Sequence, residues 1–104
     1  MSEFLPNKND ITKTNNGNTR IVVCAACRHN GIIITGARHY DKLMVATARL
    51  IGKELFNPHK AEQGFIDQYN NFISRKDGIT IAKASGQKLR EPDCHAELFS
   101  EDLY

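Results

Sequence analysis

The chain has no apolar run approaching the ~18 residues of a membrane span, and its first residues lack the apolar core of a signal peptide. A cytoplasmic protein without a membrane partner is the expectation. Its three cysteines are an odd number, which fits a reducing compartment better than a disulfide framework. Neither charge sign dominates: 14 basic and 12 acidic residues leave a net +2 over 104 residues. A nonspecific nucleic-acid binder would show a dense basic face, and this balance gives no ground for one. It suits a few arginines converging on one small anionic ligand. No glycine-rich phosphate loop occurs, with neither dinucleotide nor P-loop spacing. No Ser/His/Asp or Cys/His spacing stands out for nucleophilic catalysis, although such groups also assemble in space. No repeat or low-complexity block interrupts the chain.

What is present reads as one small domain. Hydrophobic content of 40% and charged content of 25% are ordinary for a soluble globular chain. A domain of this size buries roughly 60–65% of its unfolded surface, so self-association would help to stabilise it. The organising stretch runs from Arg20 to Asp41. Two β-branched runs, Ile21–Cys27 and Ile32–Thr35, flank Asn30-Gly31, the pair that best tolerates the positive φ angles of a type I′ turn. Counting outward pairs His29 with Ile32, Arg28 with Ile33, Cys27 with Ile34 and Val22 with His39. Both runs are apolar at successive positions, which predicts cover on both faces, by helices or by another subunit.

Residues 1–19 are polar apart from Phe4, Leu5 and Ile11 and read as a flexible or loosely docked arm; residues 20–104 read as a single ligand-binding domain. After the hairpin, Asp41 can cap a helix from Lys42 to about Glu54, ended by Asn57-Pro58-His59. Its expected apolar stripe is Leu43, Met44, Thr47, Ala48, Leu50, Ile51 and Leu55. Residues 62–69 fit either a strand or a turn leading into a helix. Ser74 and Asp77 make a capping-box variant for a second helix, Arg75–Ser85, burying Ile79, Ile81 and Ala82 and stopping at Gly86. Gly78 weakens it by about 1 kcal/mol against alanine. The apolar pairs Leu98-Phe99 and Leu103-Tyr104 suggest that the tail docks onto the body. The fold class expected is α+β: an N-terminal antiparallel hairpin sheet packed by two main helices, and oligomerising.

Cys24, Cys27, Cys94 and His95 have the composition of a tetrahedral zinc set. Cys24 and Cys27, three apart on a strand, point to opposite faces, so no metal ligand and no cofactor are assigned. Arg38 and His39, just before a helix start, can form an anion site with its N-terminal N–H groups; an ordinary connecting loop is the alternative. Arg28, Arg38, Arg75 and Arg90, with Phe65, Tyr69, Phe72 and the amides Gln63, Gln68 and Gln87, offer forks for phosphate, rings for bases and amides for base or ribose edges. The competing account has these arginines solvated and these rings in the core.

Six segments carry a resemblance: Ile-Val-Val-Cys-Ala-Ala-Cys-Arg (21–28), Thr-Gly-Ala-Arg-His-Tyr-Asp (35–41), Glu-Gln-Gly-Phe-Ile-Asp-Gln-Tyr (62–69), Phe-Ile-Ser-Arg (72–75), Ala-Ser-Gly-Gln (84–87) and Leu-Phe-Ser-Glu-Asp-Leu-Tyr (98–104). They resemble a family of small phage proteins related to the first-described phage Thoeris anti-defense sponges. That resemblance implies a non-enzymatic protein in the cytoplasm of an infected bacterial host. Such sponges sequester cyclic ADP-ribose isomers, glycocyclic ADP-ribose among them, made by TIR-domain proteins, and release them intact on denaturation. It also implies a homohexamer whose members bind CBASS cyclic oligonucleotides at separate sites. Ligand contacts are expected near Arg28, Gln63-Gly64-Phe65, Ser74-Arg75 and Arg90. Asp102 replaces the family's usual asparagine, Lys76-Asp77-Gly78 stands where Glu-Glu-Ala is usual, and the stretches around Pro58 and Arg90–His95 differ. These departures bear on ligand preference more than on fold. Two other functions fit the residues: an enzyme acting on such nucleotides through His39 or Asp67, or a module whose arginines contact an acidic host protein.

Overall fold

A computed structural model describes residues 2–87. Arg90, Cys94, His95 and the closing apolar pairs lie outside the described residues. Strands β1 (Cys24–His29) and β2 (Ile32–Gly36) form the hairpin, followed by helix α1 (Lys42–Ile51). Strands β3 (Glu62–Ile66) and β4 (Phe72–Ser74) then lead directly into helix α2 (Arg75–Ala84). The four strands make one antiparallel sheet in the order β2-β1-β3-β4.

Asn30 and Gly31 have φ angles of 51° and 75°, as the tight turn requires, and the register outward is His29–Ile32, Arg28–Ile33, Cys27–Ile34. The ladder ends at Ala25–Gly36, so Val22 and His39 do not pair. Val22 instead exchanges two backbone hydrogen bonds with the Gln87 amide, each 2.8 Å. A side chain from beyond α2 thus does the work of a strand neighbour. Residues 62–69 resolve as β3 and the start of a turn to β4.

Paired residues in an antiparallel sheet share a face, and alternate residues along a strand change face. Ala25, Cys27, Ile34, Phe65 and Ile73 therefore line a single face. Both helices lie on it. Met44 and Ala48 of α1 join Ala25, Cys27, Ile34 and Phe56; Ile81 and Ala82 of α2 join Val22, Phe65 and Ile73. The second face carries Cys24, Ala26, Arg28, Ile33, Ile66 and Phe72, and among the described residues no helix covers it. Among the described residues, then, the helices cover one of the two faces.

Asp41 caps α1 by accepting the Met44 N–H at 2.9 Å, and Ser74 caps α2 by accepting the Asp77 N–H at 3.1 Å. Each cap contributes about 1 kcal/mol. α1 ends three residues before the expected Glu54. Gly52, at φ 91°, takes the C-cap, and its carbonyl accepts Leu55 and Phe56 N–H groups. That turn drives Phe56 into the core and leaves Leu43, Leu50 and Leu55 exposed, so the buried stripe is narrower than the periodicity suggested. α2 runs one residue short of Ser85, and Gly78 is among its buried positions.

Residues 2–19 fold against the β3–β4 turn. Asp67 accepts N–H groups from Tyr69 (2.8 Å) and Asn71 (2.9 Å) through one oxygen. Its other oxygen takes Arg20 Nε (2.8 Å) and Asn71 Nδ2 (3.0 Å). Arg20 reaches on to the Ile11 carbonyl, Asn71 to that of Phe4, and the Phe4 and Tyr69 rings meet at 5.0 Å. Arg20 and Asp67 are both buried, so each depends on the other for neutralisation.

Candidate functional site

The α1–β3 connection closes one side of the helix-bearing layer, and the hairpin tip holds it there. His29 Nδ1 accepts the Asn57 N–H at 3.0 Å, which places the imidazole proton on Nε2, and Asn30 Nδ2 donates to the Leu55 carbonyl at 3.2 Å. The His29 ring meets Phe56 edge-on at 5.9 Å. With the connection fixed at this end, Pro58, His59 and Ala61 stand opposite Tyr40 at the start of α1.

Tyr40 adopts φ 57°, a left-handed conformation that a bulky side chain holds only under constraint. Its N–H meets Met44 Sδ at 3.1 Å and its hydroxyl donates to the Pro58 carbonyl at 2.7 Å. Tyr40 and Pro58 thereby form a partition with a cavity on each side. The polar cavity, about 380 Å³, is lined by Tyr40, Pro58, His59, Ala61 and Gln63. Behind it, Arg75 donates a guanidinium N–H to Gln63 Oε1. Gln63 and Tyr40 line the same wall, and the Gln63 side chain acts to lower the Tyr40 hydroxyl against the larger effect of burial. Two hydrogen bonds thus brace the wall of the cleft, Arg75 to Gln63 and Tyr40 to Pro58.

Burial is the main cause that raises the Tyr40 hydroxyl, with the nearby Cys27 thiol adding to it. Burial likewise raises the Cys27 thiol, against a smaller lowering by Tyr40 and Arg75. Both groups are therefore neutral donors or acceptors at neutral pH. The wall of the cleft thus carries an amide and a phenol, with the Arg75 guanidinium bonded to the amide.

The structure sorts the residues expected from sequence. Gln63 and Arg75 come together at this cleft. His39 lies near them: a ring nitrogen is 2.7 Å from the Gly64 carbonyl, and the ring stands edge-on to Phe65 at 5.3 Å. Phe65 itself is a core residue with 0% exposure, so the ring beside the cavity is Tyr40. Ser74 caps α2 through its hydroxyl. The backbone of Arg38 closes onto Asp41, donating to its carboxylate at 3.3 Å. Arg28 is on the other face of the sheet, paired with Glu62 at 2.7 Å and stacked 4.2 Å over the Phe72 ring. Arg90 lies outside the described residues.

Cys24 and Cys27 sit on opposite faces, and among the described residues no three metal-ligating side chains cluster. Asp67 has both oxygens engaged with Arg20, Asn71 and Tyr69. No described helix is long and apolar enough to cross a membrane. Tyr40 and His59 were not picked out by sequence reasoning. The sole hint was local, a Tyr directly before the capping Asp41; the partners that give it a role are 18 and more positions away.

Searches of curated proteins and of solved structures find no match for this chain. A family model does, across all but the first twenty residues. That model, the phage T4 y16D protein, matches residues 21–104, and the chain belongs to this family of phage proteins.

Proposed function

We propose that the protein binds a cyclic nucleotide immune signal of the host, a cyclic ADP-ribose isomer or a cyclic di- or trinucleotide, and sequesters it without degrading it. The observation that carries this reading is one cleft of about 380 Å³, within the range of small-molecule sites, lined by Gln63, Tyr40 and His59, with Arg75 hydrogen-bonded to Gln63. Arg75 supplies positive charge for a phosphate, the Gln63 amide reads a base or ribose edge, and the Tyr40 phenol offers a ring edge beside them. Membership of a phage family supports a target in the infected host, where a stoichiometric binder must compete with the host's own receptor. The residues offered for turnover are engaged elsewhere: Asp67 with Arg20, His39 with Gly64 and Phe65. Self-assembly belongs to the same proposal. The second face of the sheet, with Ile33, Ile66 and Phe72, is where another copy would add cover.

The test is to incubate the full chain with cyclic ADP-ribose isomers and cyclic di- and trinucleotides, remove free ligand, denature by heat and weigh what is released. Intact ligand in one-to-one amount, lost at least tenfold in Gln63→Leu and in His59→Ala, is the expected result. Chemically altered ligand would make the protein an enzyme. Nothing retained and nothing altered would sink the nucleotide reading.

A further inference from the structure

The cavity on the other side of the Tyr40–Pro58 partition plays no part in the reading above. It measures about 370 Å³ and is lined by Tyr40, Val45, Ala48, Gly52, Phe56 and Pro58, with Arg49 and Lys53 as its charged residues. We propose that this slot is a separate ligand site, and that it takes a flat aromatic group bearing one anionic substituent, such as an aryl phosphate.

Shape and stiffness come first. Phe56 is fully buried and Ala48 nearly so, while Tyr40 is tied at both its N–H and its hydroxyl. Those walls belong to the core and to a hydrogen-bonded partition, so the slot stands preformed. Phe56 lies fully buried beneath the wall and Tyr40 is its half-exposed ring, so an aromatic guest gains a ring contact with Tyr40 that an alkyl chain lacks. The slot also differs from the neighbouring cleft in having no amide or imidazole lining it, so a polyhydroxylated ligand would leave its hydroxyls unpaired there.

Charge decides the substituent. Arg49 stands in the last turn of α1 and Lys53 just past its Gly52 cap, and both line the slot. Both are exposed, no carboxylate lines the slot, and among the described residues neither forms an ion pair. Cations here also offset the helix dipole, but that role needs no cavity beside them. One anion beside these two cations gains charged partners, while its aromatic body fills the apolar space. A neutral ring gains only the second of these, and a cationic ring is repelled.

The experiment titrates the full chain by calorimetry with 2-naphthyl phosphate, 2-naphthol and 2-naphthylmethylammonium, and maps amide NMR shifts for whichever binds. The phosphate is expected to bind at least tenfold tighter than the alcohol and the ammonium not at all, with shifts at Val45, Ala48 and Phe56. R49E/K53E, changed at exposed positions and checked by its melting curve, should lose that preference at least tenfold; K53Q should lose part of it. Gln63→Leu should leave naphthyl phosphate binding unchanged, which separates failure here from failure of the nucleotide reading. Equal binding of the three probes would overturn the proposal. So would no binding at millimolar probe, or shifts confined to Ala61 and Gln63. Naphthyl phosphate that binds only by dissociating a self-associated form, seen by light scattering, would assign the slot to a second copy instead and overturn it as well.

Discussion

Arg28 and Arg75 stand on opposite faces of one sheet, and their surroundings differ in kind. Arg28 lies in solvent, stacked on Phe72 and paired with a Glu62 that is itself about half exposed. Arg75 is half-buried at the head of α2 and bonds Gln63, which with Tyr40 lines the wall of a cavity. An exposed ion pair holds two long side chains in one place for little free energy. A guanidinium that holds an amide in a cavity wall bears on what the wall can recognise. The two arginines stand on different faces, and under the proposed function the recognition role falls to Arg75 rather than Arg28.

The strongest way to break this comparison is at Gly64, which lies between the two environments. A Cβ there would come within 2.2 Å of the Ile73 carbonyl oxygen and 2.6 Å of Phe72 Cζ, and the carbonyl is backbone that cannot swing aside. Gly64→Ala should cost about 3 kcal/mol, the upper end of overpacking, and remove cooperative melting by circular dichroism. A loss under about 1 kcal/mol would show that β3 and β4 can separate without harm.

Arg75→Met should reduce retention of the cyclic nucleotide at least tenfold and lower stability by about 1–3 kcal/mol, because the Gln63 carbonyl oxygen is left without its donor. Retention equal to wild type, measured after gel filtration, would remove Arg75 from recognition.

Titration of the same wall sharpens the contrast. The Cys27 and Tyr40 acids are raised in the folded state, so that state holds protons which the unfolded chain gives up. Their stabilising contribution is complete below the thiol's ordinary value of about 9 and is lost as pH rises through the folded values. Denaturant midpoints should therefore fall above pH 9, less steeply in Cys27→Val. On the acid side the Asp41 carboxyl is lowered, chiefly by the Met44 N–H, so its contribution is present above about pH 4 and lost as pH falls through the folded value. Asp41→Asn keeps a cap and should flatten that acid limb. A midpoint unchanged from pH 7 to 10.5 would contradict the buried placement of Cys27.

The smallest effect belongs to Arg28→Met: about 0.5–1 kcal/mol in stability and unchanged ligand retention. A loss of ligand matching that of Arg75→Met would place both arginines on one ligand.

How far the sequence spoke depended on the range of the interactions involved. Asn30-Gly31 declared the hairpin and its register because a tight turn admits few residues. Asp41 and Ser74 declared both helix starts because a cap is a contact over three residues. Gly52 was passed over as one more glycine in a helical pattern, since its role depends on Phe56 being drawn inward. Phe65 read as a ring for stacking because a strand residue's face cannot be told from its neighbours when both sides are apolar. Gln63 and Arg75 were legible as polar groups near the right place. Their partner Tyr40 was not, because Pro58 and Gln63 reach it only through the folded chain.

The Arg20–Asp67 pair sets a rule for the evolution of the N-terminal arm. The family match begins at residue 21, one position after the arginine that neutralises a buried carboxylate within the matched region. A chain that keeps a carboxylate buried at position 67 needs a cation delivered to that spot, so loss of either partner alone leaves a buried charge unpaired. Position 20 and position 67 should therefore covary across the family while the rest of the arm drifts.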